Sequence, residues 1–143
     1  MIPDLEQALD RISRVRGVRG SMYVAADDGI VVAHLLMETV NGKAVAALAA
    51  SLARKVEGAA AATGAGRVRF LQVDAADGTL LIAPAPRDLL VVTLADPRVN
   101  VGLCRLEMMR AAEEAACRPP TASSGRSGRS RATWRSPARD SWW

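Results

Sequence analysis

The chain has 143 residues, half of them apolar and few aromatic, which suits one domain with a real core built from Ala, Val and Leu. Its formal charge of +4 is unevenly placed: residues 118–143 carry six Arg against one Asp, so the first 117 residues sum to −1, and the folded body is not expected to bind nucleic acid. One His and two Cys, thirteen positions apart along one predicted helix, exclude a disulfide scaffold and a clustered zinc site, and the thiols read as reduced ones in a cytoplasmic protein.

Leu5, Ala8, Leu9, Ile12 and Val15 recur at helical spacing behind Pro3-Asp4, with Arg11, Arg14 and Arg16 in the last turns and Gly17 as the stop. This acidic start has no basic region followed by an apolar run, so no targeting segment is expected. No apolar stretch is long enough for a membrane span. Ser21 to Ala26 and Ile30 to His34 are strand-rich runs around Asp27-Asp28-Gly29, a hairpin signal. Asn41-Gly42 leads into an Ala-rich helix from Gly42 to Thr63, stopped near Gly64 and Gly66. Val68 to Asp74, the turn Asp77-Gly78, Thr79 to Ala83, the break Pro84-Ala85-Pro86-Arg87-Asp88 and Leu89 to Leu94 predict a three-stranded meander. After Asp96-Pro97, Asn100 is placed to cap a last helix whose stripe is Val101, Cys104, Met108, Ala111, Ala112 and Ala115.

The order is therefore helix, two strands, helix, three strands, helix (αββαβββα). Strand links without a helix are too short for parallel crossovers, so the expected class is α+β with a five-stranded antiparallel sheet. Residues 1–117 form the predicted domain. From Arg118 onward Arg, Ser, Pro and Gly dominate without apolar period, which predicts a disordered tail. The abrupt change of composition also fits an out-of-frame or appended C-terminus.

The Ala-rich helix carries more apolar surface than one sheet face can cover. Val45, Leu48, Ala49, Leu52, Val56 and Ala59 form one stripe, expected on the chain's own sheet. Ala46, Ala50, Ala53 and Ala60 form a second stripe of methyl groups. With Glu57 among them, these are the expected contact with a second copy, since small side chains let another backbone come near. Arg54 and Lys55, with Glu57, are the expected wet surface for a partner. Leu103 and Leu106, off the core stripe of the last helix, are a second candidate.

No constellation for catalysis stands out. The lone His34 has no Gly-x-Ser-x-Gly elbow to serve. Asp27-Asp28 and Asp77-Gly78 are accounted for by turn chemistry. Thr63-Gly64-Ala65-Gly66-Arg67 lacks the Lys-Ser/Thr of a phosphate loop and follows a helix rather than opening one. No catalytic residue, metal or cofactor is expected, and the reading is a binding module.

Several features taken in order resemble the roadblock/dynein light chain family: Leu9-x-x-Ile12 leading to Val15-x-Gly17-Val18-x-Gly20, then Ala25-Ala26-Asp27-Asp28-Gly29-Ile30-Val31-Val32-Ala33. The Ala-rich helix, Leu80-Leu81-Ile82-Ala83-Pro84, Leu90-Val91-Val92 and Asn100-Val101-Gly102-Leu103 continue the resemblance over about residues 5–117. It implies a profilin-like fold in which two copies pair their central helices antiparallel and join their sheets edge to edge. It also implies a non-enzymatic homodimer that binds and regulates a Ras-like small GTPase, as MglB-type members do by positioning the partner's own residues. The alternatives are a ligand-sensing module of PAS or profilin-like shape and a structural scaffold without GTPase specificity. The scarcity of inward polar residues argues against a specific pocket.

Overall fold

The computed structural model describes residues 2–37 and 39–117. The elements are α1 (Ile2–Ser13), β1 (Val18–Ala25), β2 (Val31–Leu36), α2 (Gly42–Ala62), β3 (Leu71–Ala75), β4 (Gly78–Ala85), β5 (Leu89–Ala95) and α3 (Val101–Cys117). The five strands form one antiparallel sheet in the order β2-β1-β5-β4-β3, so the class and element order expected from the sequence are found. The disorder expected of 118–143 concerns residues outside the described set.

Local chemistry sets the element ends. α1 ends at Ser13, short of the expected stop at Gly17, which instead turns the chain into β1 with φ +98°, in the region that favours glycine. Gly29, at φ +73°, closes the β1–β2 hairpin, and a Cβ there would come within 3.0 Å of the Ala47 backbone on α2. Its lack of a side chain thus serves both the turn and the close approach of the helix. Asn41 caps α2, its Oδ1 accepting from the Ala44 N–H at 3.2 Å. Asn100 does the same for α3 through the Leu103 N–H at 3.1 Å. Several bounds differ from expectation: β1 begins at Val18 rather than Ser21, and β2 runs Val31–Leu36 rather than Ile30 to His34. β3 begins at Leu71 rather than Val68, β4 continues through Pro84 to Ala85, and the β3–β4 turn is Ala76-Asp77, because Gly78 already pairs with Ala75.

Two layers of unequal weight cover the sheet. α1 and α3 lie together on one face, where Leu5, Leu9, Ile12, Tyr23, Val91 and Met108 are among eighteen buried residues. The predicted core stripe of α3 is seated here, with Cys104, Met108, Ala111, Ala112 and Ala115 buried and Val101 packed beside them. Burial of each large aliphatic side chain contributes about 1.5–3 kcal/mol. α2 alone covers the other face, over Met22, Val24, Ile82, Leu90 and Val92.

The face that α2 turns inward corrects the sequence expectation. Ala46, Ala49 and Ala50 are buried against the sheet, and Ala53 is packed beside them, while Leu48 is 70% exposed. At about 100° per residue the helix is rotated by roughly a quarter turn from the predicted setting. The sheet supplies the reason: large side chains rise from its surface, and only a methyl-lined helix can settle closely on them. Val45, Leu52 and Val56 become half-buried flanks.

Candidate interaction surface

Rotating α2 changes which residues are open to a partner. Of the expected dimer contacts, Ala46 and Ala50 lie wholly against the chain's own sheet and present nothing to a second copy. Ala53, Glu57 and Ala60 are half-buried on the same inward side. The outward stripe consists of Ala44, Leu48, Ser51, Lys55, Ala59 and Ala62, all exposed except the half-buried Ser51. It combines small side chains, one large apolar one and one cation. The spacing that reveals it was legible, but its distinction from the inward stripe was not.

Arg54 and Lys55, neighbours in sequence, have different duties. Lys55 stands on the outward stripe. Arg54 reaches over the β1–β2 turn and donates to the carbonyl oxygens of Ala26 (3.1 Å) and Asp27 (3.2 Å), tying the helix to the hairpin. Its guanidinium already has partners within the chain. Glu57, one turn on, points beneath the helix toward the sheet, and its Oε2 is buried with no hydrogen-bond partner among the described residues. Burial raises the Glu57 carboxyl above its ordinary pKa, against the opposing pull of the Val68 backbone N–H and the Arg67 charge. Nearby, burial and then the Asp27 charge raise Asp88, whose backbone oxygen accepts from the Ala26 N–H at 2.8 Å. Asp88 and Arg87 both hold positive φ, 59° and 67°, in the β4–β5 turn.

Leu103 and Leu106 are 43% and 50% exposed on α3, so the second candidate surface is open to solvent. It lies across the sheet from Lys55. The two candidates therefore cannot belong to one continuous contact. Beside Leu106, Arg105 stacks over the Phe70 ring with its guanidinium carbon 4.8 Å from the centroid. Under these residues the α1–α3 layer is bound by polar contacts: Tyr23 Oη donates to the Ala111 carbonyl at 2.8 Å, and Arg11 pairs with Glu107 and Glu114. Burial, then the Glu107 charge, pushes the Cys104 thiol up to about 11, so it stays protonated and unreactive at neutral pH. The side chain of Cys117 is outside the described set. His34 is exposed on the edge strand β2.

Among the described residues no group of three or more His, Cys, Asp or Glu is placed to hold a metal, and no helix is long and apolar enough to cross a membrane. Residues 4–95 match the Roadblock/LC7 domain. The chain belongs to that family. Two uncharacterized proteins of Methanocaldococcus jannaschii are each 34% identical to it over 110 residues, 77% of this chain and 95% of theirs. In three dimensions the Roadblock/LC7 fold recurs in a Roadblock/LC7 domain from Streptomyces avermitilis (TM-score 0.71, 20% identity, 77% of this chain and 92% of that one). It recurs also in the gliding protein MglB of Thermus thermophilus (TM-score 0.70, 22% identity, 78% and 85%) and in Myxococcus xanthus MglB (0.73, 18%, 80% and 86%). At these identities the likeness is one of fold. Within this Roadblock/LC7 domain, sequence periodicity missed the exposure of Leu48, the engagement of Arg54 and the inward course of Glu57. Asn41, three residues before the Ala44 N–H it caps, was a readable signal for the start of α2.

Proposed function

We propose that this Roadblock/LC7 chain is a non-enzymatic homodimeric adaptor that binds a Ras-like small GTPase and shifts its switch. The observation that carries this reading is the outward stripe of α2, where Leu48 stands in solvent among small residues on a sheet face that one helix covers. A second copy of the helix laid antiparallel along Ala44, Leu48, Ser51, Ala59 and Ala62 buries that leucine and allows close backbone approach. The dimer contact proposed here is thus the stripe opposite Ala46 and Ala50. One solved MglB neighbour is described as having a tetrameric arrangement, so self-association accompanies this fold elsewhere.

The paired helices offer a broad surface with Lys55 at its seam, and regulation of a switch requires different affinities for its two states. The test is titration of a Ras-like GTPase from the same genome, loaded with GTP analogue or with GDP, against the wild type, Lys55→Glu and a Leu103→Glu/Leu106→Glu double variant. The expected result is a preference for one nucleotide state, unchanged by the α3 variant and weakened about tenfold by Lys55→Glu in a sample that light scattering shows to be still dimeric, a control required because Lys55 stands on the proposed dimer stripe. Equal affinity for both states counts against regulation and leaves a scaffold. Loss of binding only in the α3 variant moves the partner to the other side of the sheet.

A further inference from the structure

Beneath the C-terminal half of α2 is a cleft of about 300 Å³, walled mainly by apolar side chains that include Ala53, Leu71, Ile82 and Leu90. It lies beyond the point where Ala46, Ala49 and Ala50 seat the helix on the sheet, between Ala53, Val56 and Glu57 of α2 and Leu71, Ile82 and Leu90 of the strands. Its size is at the lower end of the range of small-molecule pockets, roughly 300–1,000 Å³. Glu57 enters it from the helix, and the unpartnered Oε2 is the buried acceptor of an otherwise oily space. Water fills such a space poorly, since a bound water wants two to four polar partners. The Val68 backbone N–H and the Arg67 charge act on the same carboxyl, but Oε2 itself has no hydrogen-bond partner among the described residues, and such an oxygen is costly to leave unpaired.

The mouth has its own electrostatic bias. Ala26 lines the cleft and is followed directly by Asp27, close enough to Asp88 to raise its pKa. Of the two cations nearby, Arg54 is occupied by the Ala26 and Asp27 carbonyls. Arg67 faces the Glu57 carboxylate but does not overcome the effect of its burial. A ligand suited to these surroundings carries a small apolar body for the walls and one cationic N–H group for Glu57, since a charge-assisted hydrogen bond to carboxylate is the strong kind.

We infer that the cleft between α2 and the sheet is a binding site for a small amine, with its hydrocarbon part against Ala53, Leu71 and Ile82 and its ammonium on Glu57. This site is independent of the GTPase reading. It is tested on the full chain, ¹⁵N-labelled, by titration with n-hexylamine, 1-hexanol and hexanoate, probes of equal length and different head group. The expected result is saturable shifts of the Val68, Leu71 and Ala26 amides with hexylamine, weaker ones with hexanol and none with hexanoate. Glu57→Gln lowers hexylamine affinity about tenfold or more, toward that of hexanol. Ala53→Leu, which fills the cleft, abolishes binding of both; if that variant fails to fold, Ala26→Leu fills it from the hairpin side. Absence of binding, equal response to all three probes, the tightest binding by hexanoate, or hexylamine affinity unchanged in Glu57→Gln overturns the assignment.

Discussion

One face of the sheet is closed by two helices and eighteen buried residues, the other by one helix and eight. On the first, Leu5, Leu9, Ile12 and Met108 fill the space between helices and strands, Tyr23 bonds to α3, and Arg11 bridges α1 to α3. On the second, the helix contributes methyl groups, leaves Leu48 outside, and covers a cleft with a carboxylate oxygen that has no hydrogen-bond partner among the described residues. The α1–α3 layer is the more fully packed, although it too leaves Leu103 and Leu106 in solvent and Ser13 Oγ, Thr93 Oγ1 and Glu107 Oε1 without a hydrogen-bond partner among the described residues. The α2 layer differs in its smaller buried core and in the single helix that closes it, with Leu48 the most exposed large apolar side chain among the described residues, and that is the face on which a partner is expected.

The largest expected effect separates the two stripes of α2. Ala50→Glu places a carboxylate in a space with neither room nor partner and should unfold the chain, at a cost of several kcal/mol, about 3–5 by analogy with an unpaired buried charge. Circular dichroism melting should show loss of the folded baseline at any protein concentration. Retention of a wild-type melt would mean that Ala50 does not face the sheet.

Next in size is Leu48→Glu, on the opposite side of the same helix. The chain should keep its secondary structure while light scattering at micromolar concentration changes from dimer to monomer. Melting should fall and lose its dependence on concentration, because a folded state no longer gains from association. An unchanged dimer would place the contact elsewhere, with the exposed edge strand β2, carrying Val32 and Leu35, the next candidate.

A smaller loss is expected on the α1–α3 face. Tyr23→Phe removes the hydroxyl that donates to Ala111 without altering the ring's packing, and should cost about 1 kcal/mol, read as a lower denaturation midpoint with unchanged slope. Burial, with the Glu114 charge adding to it, holds the Tyr23 phenol protonated well above its ordinary range, so this bond should persist at alkaline pH.

The smallest effect is at Glu57. A carboxyl whose pKa is raised in the fold favours folding while protonated, and that contribution is lost as pH rises from the ordinary carboxylate range through the raised value. Glu57→Gln should therefore match the wild type in acid and melt higher at neutral pH, by about one or two degrees given the group's partial exposure. A gain that instead appears only in acid would reverse the assigned sign.

Much of this fold can be read from local pattern. Asp28-Gly29 marks the first hairpin, Asn100 the start of α3, and the spacing of Cys104, Met108, Ala111 and Ala115 identifies a helix face that has an apolar side and a polar one. Leu103 and Leu106 interrupt the polar side, but the stripe with the most buried members is the inward one. The shift of the second turn from Asp77-Gly78 to Ala76-Asp77 is a matter of register, set by pairing of Ala75 with Gly78.

On α2, residue spacing establishes that two apolar stripes share one helix, but both look like a core face when only periodicity is counted. Which stripe turns inward depended on the height of Met22, Val24, Ile82, Leu90 and Val92, residues brought beneath the helix from three different strands. Close packing against those side chains selects Ala46, Ala49 and Ala50 and rejects Leu48. The same choice carries Glu57 under the helix and Arg54 over the hairpin. It is made only when the sheet is assembled, because the energy that selects the face is contact between segments distant in sequence.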